Sequence, residues 1–324
     1  MPSSRSARPT SRAFHASRDQ ARGGLLALSA PAMTRGRAWV AAIRPRTLPA
    51  AVAPVAVGTA VATRSGSGRP SIALAALAAA LLLQIGTNLV NDWGDFRRGA
   101  DGPDRLGPSR AVAAGWLSPD DVIRGAWLAF LLAALIGIWL IARGGWPIAS
   151  IGLGGLAVAI GYTAGPWPLA YHALGEPFVF LFFGPLAVCG TELLQTGGAS
   201  GIGLLASLPV GLLATAILLV NNVRDVESDA RAGKRTLVVQ LGRPVGQSLY
   251  AGTVAVAFLL VAAVALALSS PGPLVAWLSV PLAAAPLRAV LGSRDGPVLN
   301  VALAATARLH LAFGVLLAGG LAWW

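Results

Sequence analysis

The sequence predicts an all-α fold, a polytopic membrane bundle of about nine transmembrane helices. Hydrophobic residues make up 55% of the 324-residue chain and charged residues only 12%. The apolar residues come in long runs instead of strand-like alternation, and about 20 such residues cross the hydrocarbon core of a bilayer. Because the backbone in lipid must satisfy its own hydrogen bonds, we expect these runs to be helices.

The N-terminal segment, residues 1–37, differs from the rest of the chain. It is rich in Ser and Arg, has Asp19 as its single acid and contains no long apolar run. We expect a disordered tail here, followed by one intramembrane domain over residues 38–324. The composition also fits a transit peptide. The sequence leaves open whether residues 1–32 are translated at all, with Met33 as the natural first residue.

Nine apolar runs set the expected spans. They cover residues of about 50–63, 71–90, 125–142, 146–163, 177–194, 202–220, 245–268, 274–290 and 301–324. The second and sixth runs each lead directly into a polar, acid-rich segment. These two segments are the candidate functional parts of the chain.

Loop charges predict the orientation, since cytoplasmic loops carry an excess of Lys and Arg. The N-terminal side and the loops after the second, sixth and eighth runs are basic. The loops on the other side hold only Arg64, Arg69 and Arg143. We therefore expect a multi-pass protein of the cell (plasma) membrane, with the N-terminus and both acidic segments in the cytoplasm.

The first acidic segment, residues 88–105, holds four carboxylates and three guanidinium groups within fourteen residues. If the preceding helix continues, Asn88, Asp92 and Asp95 share one face at i, i+4 and i+7. Asp101 and Asp104 fit either a metal contact or a solvated loop.

The second acidic segment, residues 221–236, repeats the pattern. Asn221, Asp225 and Asp229 are spaced by four and line one helical face. One acidic cluster after a span is usually a solvated loop, but two clusters of the same pattern indicate a site. Four spans separate them, so both reach the same surface. Together the two segments would form an oxygen-rich opening at one end of the bundle, called the mouth below. Such a site suits a hard cation such as Mg²⁺.

Basic residues are interspersed with these acids and suit a diphosphate group. They are Arg97, Arg105, Arg110, Arg224, Lys234 and Arg235. A diphosphate held over an apolar cavity implies a substrate with a polar head and a hydrocarbon tail, for which prenyl diphosphate is the obvious candidate. Metal and bases would stabilise the departing diphosphate, leaving an allylic cation for an electron-rich acceptor.

The two motifs resemble those of the UbiA-type intramembrane aromatic prenyltransferases, which pair an N-D-x-x-D region with a later D-x-x-x-D. Residues 44–49, 84–110 and 221–236 carry the resemblance. Residues 161–184 are similar to the subgroup that acts on 1,4-dihydroxy-2-naphthoate in menaquinone synthesis. The resemblance covers about residues 38–324 and implies a nine-helix fold and Mg²⁺ dependence. It also implies transfer of a polyprenyl group from polyprenyl diphosphate to this naphthoate, with loss of CO₂ and diphosphate, giving demethylmenaquinone.

The resemblance assigns roles to individual positions. The expected catalytic and metal-binding residues are Asp92, Asp95, Asp225 and Asp229. The expected substrate-binding residues are Asn88, Arg97, Arg105, Arg110, Tyr162, Asn221, Arg224 and Lys234. Tyr162 fits the acceptor pocket and an interfacial aromatic belt equally well. Glu176, at a span end, fits helix capping, interfacial exposure or a functional acid.

The charge and the position of the acidic segments also bear on other possible partners and functions. The net charge of +12 favours anionic lipid or a phosphorylated substrate. The chain lacks the aromatic-basic interleaving used on nucleic acids, so no nucleic-acid partner is expected. A prenyltransferase with another acceptor, such as 4-hydroxybenzoate, remains an alternative. A cation-coupled transporter fits less well, because transporter sites lie near the bilayer midplane. Prenyl chain length and oligomeric state are open.

The predicted topology is tested by accessibility. Cysteines introduced at Ala100 and Ala232 should react with a membrane-impermeant thiol reagent only from the cytoplasmic side, and a cysteine near Gly144 only from outside. If the cysteines at positions 100 and 232 were labelled from opposite sides, the two acidic segments could not form one site.

Overall fold

The computed structural model describes residues 33–99, 106–164 and 167–323, which form helices and no strand. Six helices make up the first half: α1 Arg35–Ile43, α2 Pro49–Arg64, α3 Pro70–Arg97, α4 Pro119–Gly161, α5 Gly175–Leu181 and α6 Ala187–Thr196. Five follow: α7 Gly201–Arg231, α8 Leu237–Leu241, α9 Arg243–Ala267, α10 Val280–Gly292 and α11 Gly296–Trp323. A π-helical turn, Phe182–Leu186, joins α5 to α6, and a 3₁₀ segment, Gly272–Ser279, precedes α10.

The predicted disordered tail, residues 1–37, falls mostly on residues 1–32, which lie outside the described residues; its last three residues, Arg35 to Arg37, are helical and begin α1. Asp101, Asp104 and Arg105 also lie outside the described residues. The predicted tail and the roles considered for these three side chains therefore stay predictions.

The prediction of an all-α membrane bundle is confirmed. Seven helical segments in the described ranges are long and apolar enough to cross a membrane. One of them, α4, has 43 residues and would be about 65 Å long if straight, twice the thickness of the hydrocarbon core. The 16-residue α2 is too short to be counted among these seven segments, but it is largely buried in the bundle. With α4 counted as two arms and α2 included, the expectation of about nine spans agrees with the structure.

Helix α4 is a hairpin of two arms that meet at Gly145. This residue has φ 65° and ψ −155°, a backbone conformation that glycine adopts without a Cβ clash. Gly125 near the start of α4 packs on Leu89, and Thr163 just beyond its end contacts Gly94. Both ends of α4 therefore lie at the same end of α3, and the arms run antiparallel, as the separate runs 125–142 and 146–163 predict.

Small residues allow the helices around α7 to approach closely. A Cβ added at Gly184 would lie 2.8 Å from the Cα of Gly211, and one at Gly211 would lie 2.7 Å from the carbonyl oxygen of Phe180. These contacts bring α7 against the α5–α6 element. Close backbone approach at small residues is the usual packing mode of helices in membranes.

The outer surface of the bundle carries large apolar side chains. Leu153, Leu259 and Leu266 are all more than two-thirds exposed. Such side chains are stable on a surface that faces lipid, and the described chain is that of a polytopic membrane protein.

Two helices extend past the hydrocarbon core and carry the acidic motifs. Helix α3 has 28 residues and α7 has 31, which correspond to about 42 and 46 Å, against a core of about 30 Å. Each helix is therefore too long to lie wholly within the apolar layer if it runs upright, and its charged residues are in the last turns, which suit the region outside that layer. The helical continuation assumed for both motifs is confirmed, and each motif presents one face to its neighbours.

Candidate active site

One ammonium group joins the two acidic motifs. Lys234 Nζ lies 3.3 Å from Asp95 Oδ1 at the end of α3 and 3.6 Å from Asp229 Oδ1 at the end of α7. The three side chains are at most 13% exposed, so water screens the ion pairs weakly. The two motifs thus meet at one end of the bundle, as the span count predicts.

Aromatic and electrostatic contacts hold Lys234 in its charged form. Lys234 Nζ lies 5.6 Å from the ring centre of Tyr171, and the guanidinium of Arg98 lies 5.5 Å from the same ring. Burial alone would lower the pKa of Lys234, but Asp95, Asp229 and Tyr171 raise it above the ordinary lysine value. Burial also raises the pKa of Tyr171. At neutral pH the lysine is therefore a cation and the tyrosine is neutral.

The acids of the first motif have different neighbours. Asp95 Oδ2 accepts a hydrogen bond of 2.7 Å from Arg110 Nη2. The Asp92 carboxylate accepts from the backbone amides of Ala111, at 3.0 Å, and Val112, at 3.4 Å. Asp92 therefore fixes the turn that presents Arg110 to Asp95.

Asn88, expected to contact substrate, binds the polypeptide chain. Its Nδ2 donates to the carbonyl oxygen of Ile43 at 2.8 Å and to Thr47 Oγ1 at 3.1 Å. These bonds tie α3 to the last residue of α1 and to the turn before α2. A role in substrate binding stays a prediction.

The first motif contains two further arginines with a predicted role in substrate binding, Arg97 and Arg105. Arg97 is exposed, and its guanidinium lies 5.1 Å from the ring centre of Trp93. Arg105 is outside the described residues. Their predicted contacts with substrate stay predictions.

Arg224 organises the second motif. Its Nε and Nη2 donate to Asp225 Oδ1 and Oδ2 at 2.7 and 2.5 Å, a bidentate pair. Nη2 also donates to Asn221 Oδ1, and Nη1 donates to Asn300 Oδ1 on α11, each at 2.7 Å. Asn300 Nδ2 donates in turn to the carbonyl oxygen of Leu106. The buried guanidinium thus connects α7, α11 and the loop after α3.

Tyr162 lies beside a third polar group. Burial raises the pKa of Tyr162 above its ordinary value, and the negative charges of Glu176, Asp229 and Asp95 raise it further. Glu176 is buried, and its Oε1 accepts a 2.8 Å hydrogen bond from Asn222 Nδ2 on α7. The hydroxyl of the predicted acceptor residue Tyr162 adjoins Gly175, the residue before Glu176, where an added Cβ would lie 2.9 Å from it.

Sequence reasoning missed three residues of this region: Tyr171, Asn222 and Asn300. For Asn222 a local signal existed, because it follows Asn221 directly and successive helical residues face different sides. Asn221 faces Arg224, and Asn222 faces Glu176. Tyr171 and Asn300 reach the site through contacts distant in sequence, and no spacing pattern marks them.

Asp95 and Asp229 are the residues best placed to hold a cation. Within the described ranges, no group of three or more Asp, Glu, His or Cys side chains forms a metal site. Asp92 is bound by amides, and Asp95 and Asp225 are each bound by a guanidinium. Asp95 and Asp229 in addition share the Lys234 ammonium. Asp95 Oδ1 is buried and makes no hydrogen bond in the described part of the chain. Two carboxylates completed by substrate phosphate oxygens are a donor set that suits Mg²⁺.

Fold and site together define a polytopic membrane protein with an acid- and base-lined mouth at one end of an apolar helical bundle. The chain belongs to the UbiA prenyltransferase family, whose model matches residues 51–297. It is therefore a prenyltransferase of that family.

Individual relatives share much of the sequence. The chain is 40% identical over 292 residues to the 1,4-dihydroxy-2-naphthoate octaprenyltransferase of Mycobacterium tuberculosis, a match that covers 88% of this chain and 96% of the relative. It is 43% identical over 216 residues to the protein of the same name from Escherichia coli, covering 65% of this chain and 70% of the relative.

Solved structures share the fold. A UbiA homologue from Archaeoglobus fulgidus bound to GPP and Mg²⁺ has a TM-score of 0.61 at 17% identity, covering 86% of this chain and 99% of that one. An apo UbiA homologue from Aeropyrum pernix has a TM-score of 0.63 at 17% identity, covering 83% and 96%. The likeness concerns the architecture of the bundle.

The contacts of Lys234 predict its chemical reactivity, and Lys234 is the only lysine in the chain. Asp95→Asn removes a charge that raises the pKa of Lys234, so the pKa should fall. The fraction of neutral amine at pH 8 then rises, by about tenfold for each unit of that fall. Amine acylation at Lys234, followed by peptide mass spectrometry, should be correspondingly faster.

Asp121→Asn is the matched control, because the Asp121 carboxylate pairs with exposed Arg35 at 3.3 Å. It should leave the labelling rate unchanged. Equal labelling of Lys234 in both variants would contradict the ion pair with Asp95.

Proposed function

We propose that the protein transfers a polyprenyl group from polyprenyl diphosphate to 1,4-dihydroxy-2-naphthoate, releasing CO₂ and diphosphate. The product is demethylmenaquinone at the hydroquinone level. The contact of Lys234 with Asp95 and Asp229 carries the proposal, because it brings acids and bases of both motifs to one mouth of an apolar bundle. The names of the bacterial relatives support the choice of acceptor.

The proposed diphosphate site consists of cations that face this mouth. Lys234, Arg110 and Arg224 are buried or nearly so, and each pairs with a carboxylate of one motif. Arginine suits phosphate oxygens because its guanidinium binds in a bidentate way. On diphosphate binding, we expect these cations to exchange carboxylate oxygens for phosphate oxygens.

The proposed cofactor is Mg²⁺, held by Asp95 and Asp229. A bound Mg²⁺ supplies positive charge that stabilises the departing diphosphate. The homologues from Archaeoglobus fulgidus are described as bound to Mg²⁺ or Cd²⁺, which supports the use of a divalent metal. Asp92 and Asp225 also stay predicted ligands; like Asp95, each would exchange its present partners to reach a metal.

We place the acceptor on the Tyr162 side of the site and the prenyl chain among the membrane helices, within a proposed domain of residues 38–324. The charged mouth is placed on the cytoplasmic side, in line with the basic loops. This arrangement lets the ring approach the allylic carbon as the diphosphate leaves. The cluster lies at one end of the bundle, which disfavours a transporter site near the midplane.

The metal proposal is tested by Asp229→Asn. We expect the Mg²⁺ concentration for half-maximal transfer to rise by roughly tenfold or more, because an amide is a weaker ligand than a carboxylate. Glu227→Gln is the control on the same helix, since Arg243 binds Glu227 at 2.6 Å. An unchanged Mg²⁺ requirement in the Asp229 variant would exclude this carboxylate as a ligand.

The acceptor is tested by product mass. Purified protein should receive the same prenyl diphosphate with 1,4-dihydroxy-2-naphthoate or with 4-hydroxybenzoate. We expect a prenylated naphthoquinol that lacks the mass of the acceptor carboxylate, since decarboxylation restores aromaticity. A dominant prenylated hydroxybenzoate, with the naphthoate untouched, would refute the choice of acceptor and leave the family assignment intact.

A further inference from the structure

Glu176 carries a buried oxygen that makes no hydrogen bond within the described part of the chain. The residue is 6% exposed, and its Oε1 accepts from Asn222 Nδ2 at 2.8 Å. Its Oε2 is fully buried and makes no hydrogen bond to any described residue. A buried carboxylate oxygen without a donor is unfavourable, because it has lost water and gained nothing in exchange. Such an atom is a candidate for contact with a ligand.

The position of Glu176 connects it to the site. It is the second residue of α5, and a Cβ added at the first, Gly175, would lie 2.9 Å from the Tyr162 hydroxyl. Its partner Asn222 adjoins Asn221, which binds the central arginine of the second motif. Glu176 therefore lies between α7, where it bonds to Asn222, and Tyr162, whose hydroxyl adjoins the preceding residue of α5.

The groups around Glu176 leave it able to exchange a proton. Tyr162 approaches from the end of α4 and neutral Asn222 from α7. The other carboxylates acting on Tyr162 are Asp229 and Asp95. No ion pair described for residues 33–99, 106–164 and 167–323 includes Glu176. The described groups that offset its charge are thus neutral amides, its own backbone N–H and the Asn222 side chain, whereas Asp95 and Asp225 pair with cations.

Resting on the proposed function, we propose that Glu176 is a catalytic residue of the acceptor site. Its Oε2 accepts the proton of the acceptor hydroxyl next to the ring carbon that is prenylated. Removing that proton raises the electron density of the ring at the attacking carbon.

The proton and electron balance closes within one turnover. As Oε2 takes the hydroxyl proton, the hydroxyl oxygen becomes a carbonyl and the ring carbon bearing the carboxylate bonds to the allylic carbon. The allylic carbon–oxygen bond breaks, and its electrons leave with diphosphate. The carboxylate now lies β to a ketone, so its carbon–carbon bond breaks to release CO₂. The electrons return to the ring as an enolate, which takes the proton back from Glu176 to give the hydroquinone.

Glu176→Gln tests this role with minimal change of shape, because Oε1 still accepts from Asn222. We expect kcat near neutral pH to fall by roughly 100-fold or more, the usual effect of losing a general base. In this variant kcat should then rise by about tenfold per pH unit, as hydroxide ionises the acceptor in place of the carboxylate. The KM for prenyl diphosphate and the Mg²⁺ requirement should not change. Glu176→Asp, which keeps a carboxylate, should retain the wild-type pH profile.

Glu192 provides the matched control on the same transmembrane element. It is 3% exposed, accepts from the Ser200 amide and also has an Oε2 without a hydrogen bond among described residues. It lies sixteen residues further along, about 24 Å from Glu176. Glu192→Gln should leave kcat and its pH profile unchanged.

The outcomes separate the two hypotheses. If the unsubstituted protein does not prenylate the naphthoate, the proposed function fails. If it does, and Glu176→Gln keeps a wild-type kcat and pH profile, this inference alone fails. A loss of equal size at every pH, accompanied by a lower melting temperature, would assign Glu176 a structural role and also overturn it.

Discussion

The site depends on neutralising carboxylates that an apolar bundle brings out of water. Transfer of an unpaired carboxylate into such surroundings is strongly unfavourable, whereas a paired one is tolerated. Asp95 is accordingly held between Arg110 and Lys234, and Asp225 is chelated by Arg224. The fold brings the two motifs together, and these ion pairs compensate the charge of the carboxylates that are buried as a result.

The same pairing explains how such a mouth can accept a highly charged head group. A diphosphate carries negative charge toward the lysine and arginines, while a divalent cation carries positive charge toward the acids. If the lysine and arginines bind phosphate oxygens while the acids bind the divalent cation, every buried charge keeps a partner of opposite sign. Binding of diphosphate and cation together therefore leaves no buried charge isolated. Lys234 lies at the centre of this exchange, since it contacts an acid of each motif.

Local periodicity predicted the parts of the site that a single helix determines. Asn88, Asp92 and Asp95 share a face because α3 continues through Arg97, and the even number of intervening spans brings the second motif to the same end. The individual partners were not predictable, because they depend on packing between distant segments. Asp92 meets amides nineteen and twenty residues away, and Arg224 meets Asn300 across seventy-six. Residue type and spacing thus indicated a polar site but not its pairing.

The neighbours of Glu176 and Glu192 distinguish two acids that the spacing of residues in the sequence does not. Both are buried acids on one transmembrane element, and each has one oxygen bound and one without a described hydrogen bond. Sequence gives no reason to rank them. Glu176 lies beside Tyr162 and bonds to a residue within the second motif, whereas Glu192 bonds to the Ser200 amide at the start of α7. Because α7 begins at one end of the bundle and carries the acidic motif at the other, only Glu176 is within reach of an acceptor bound at the charged mouth.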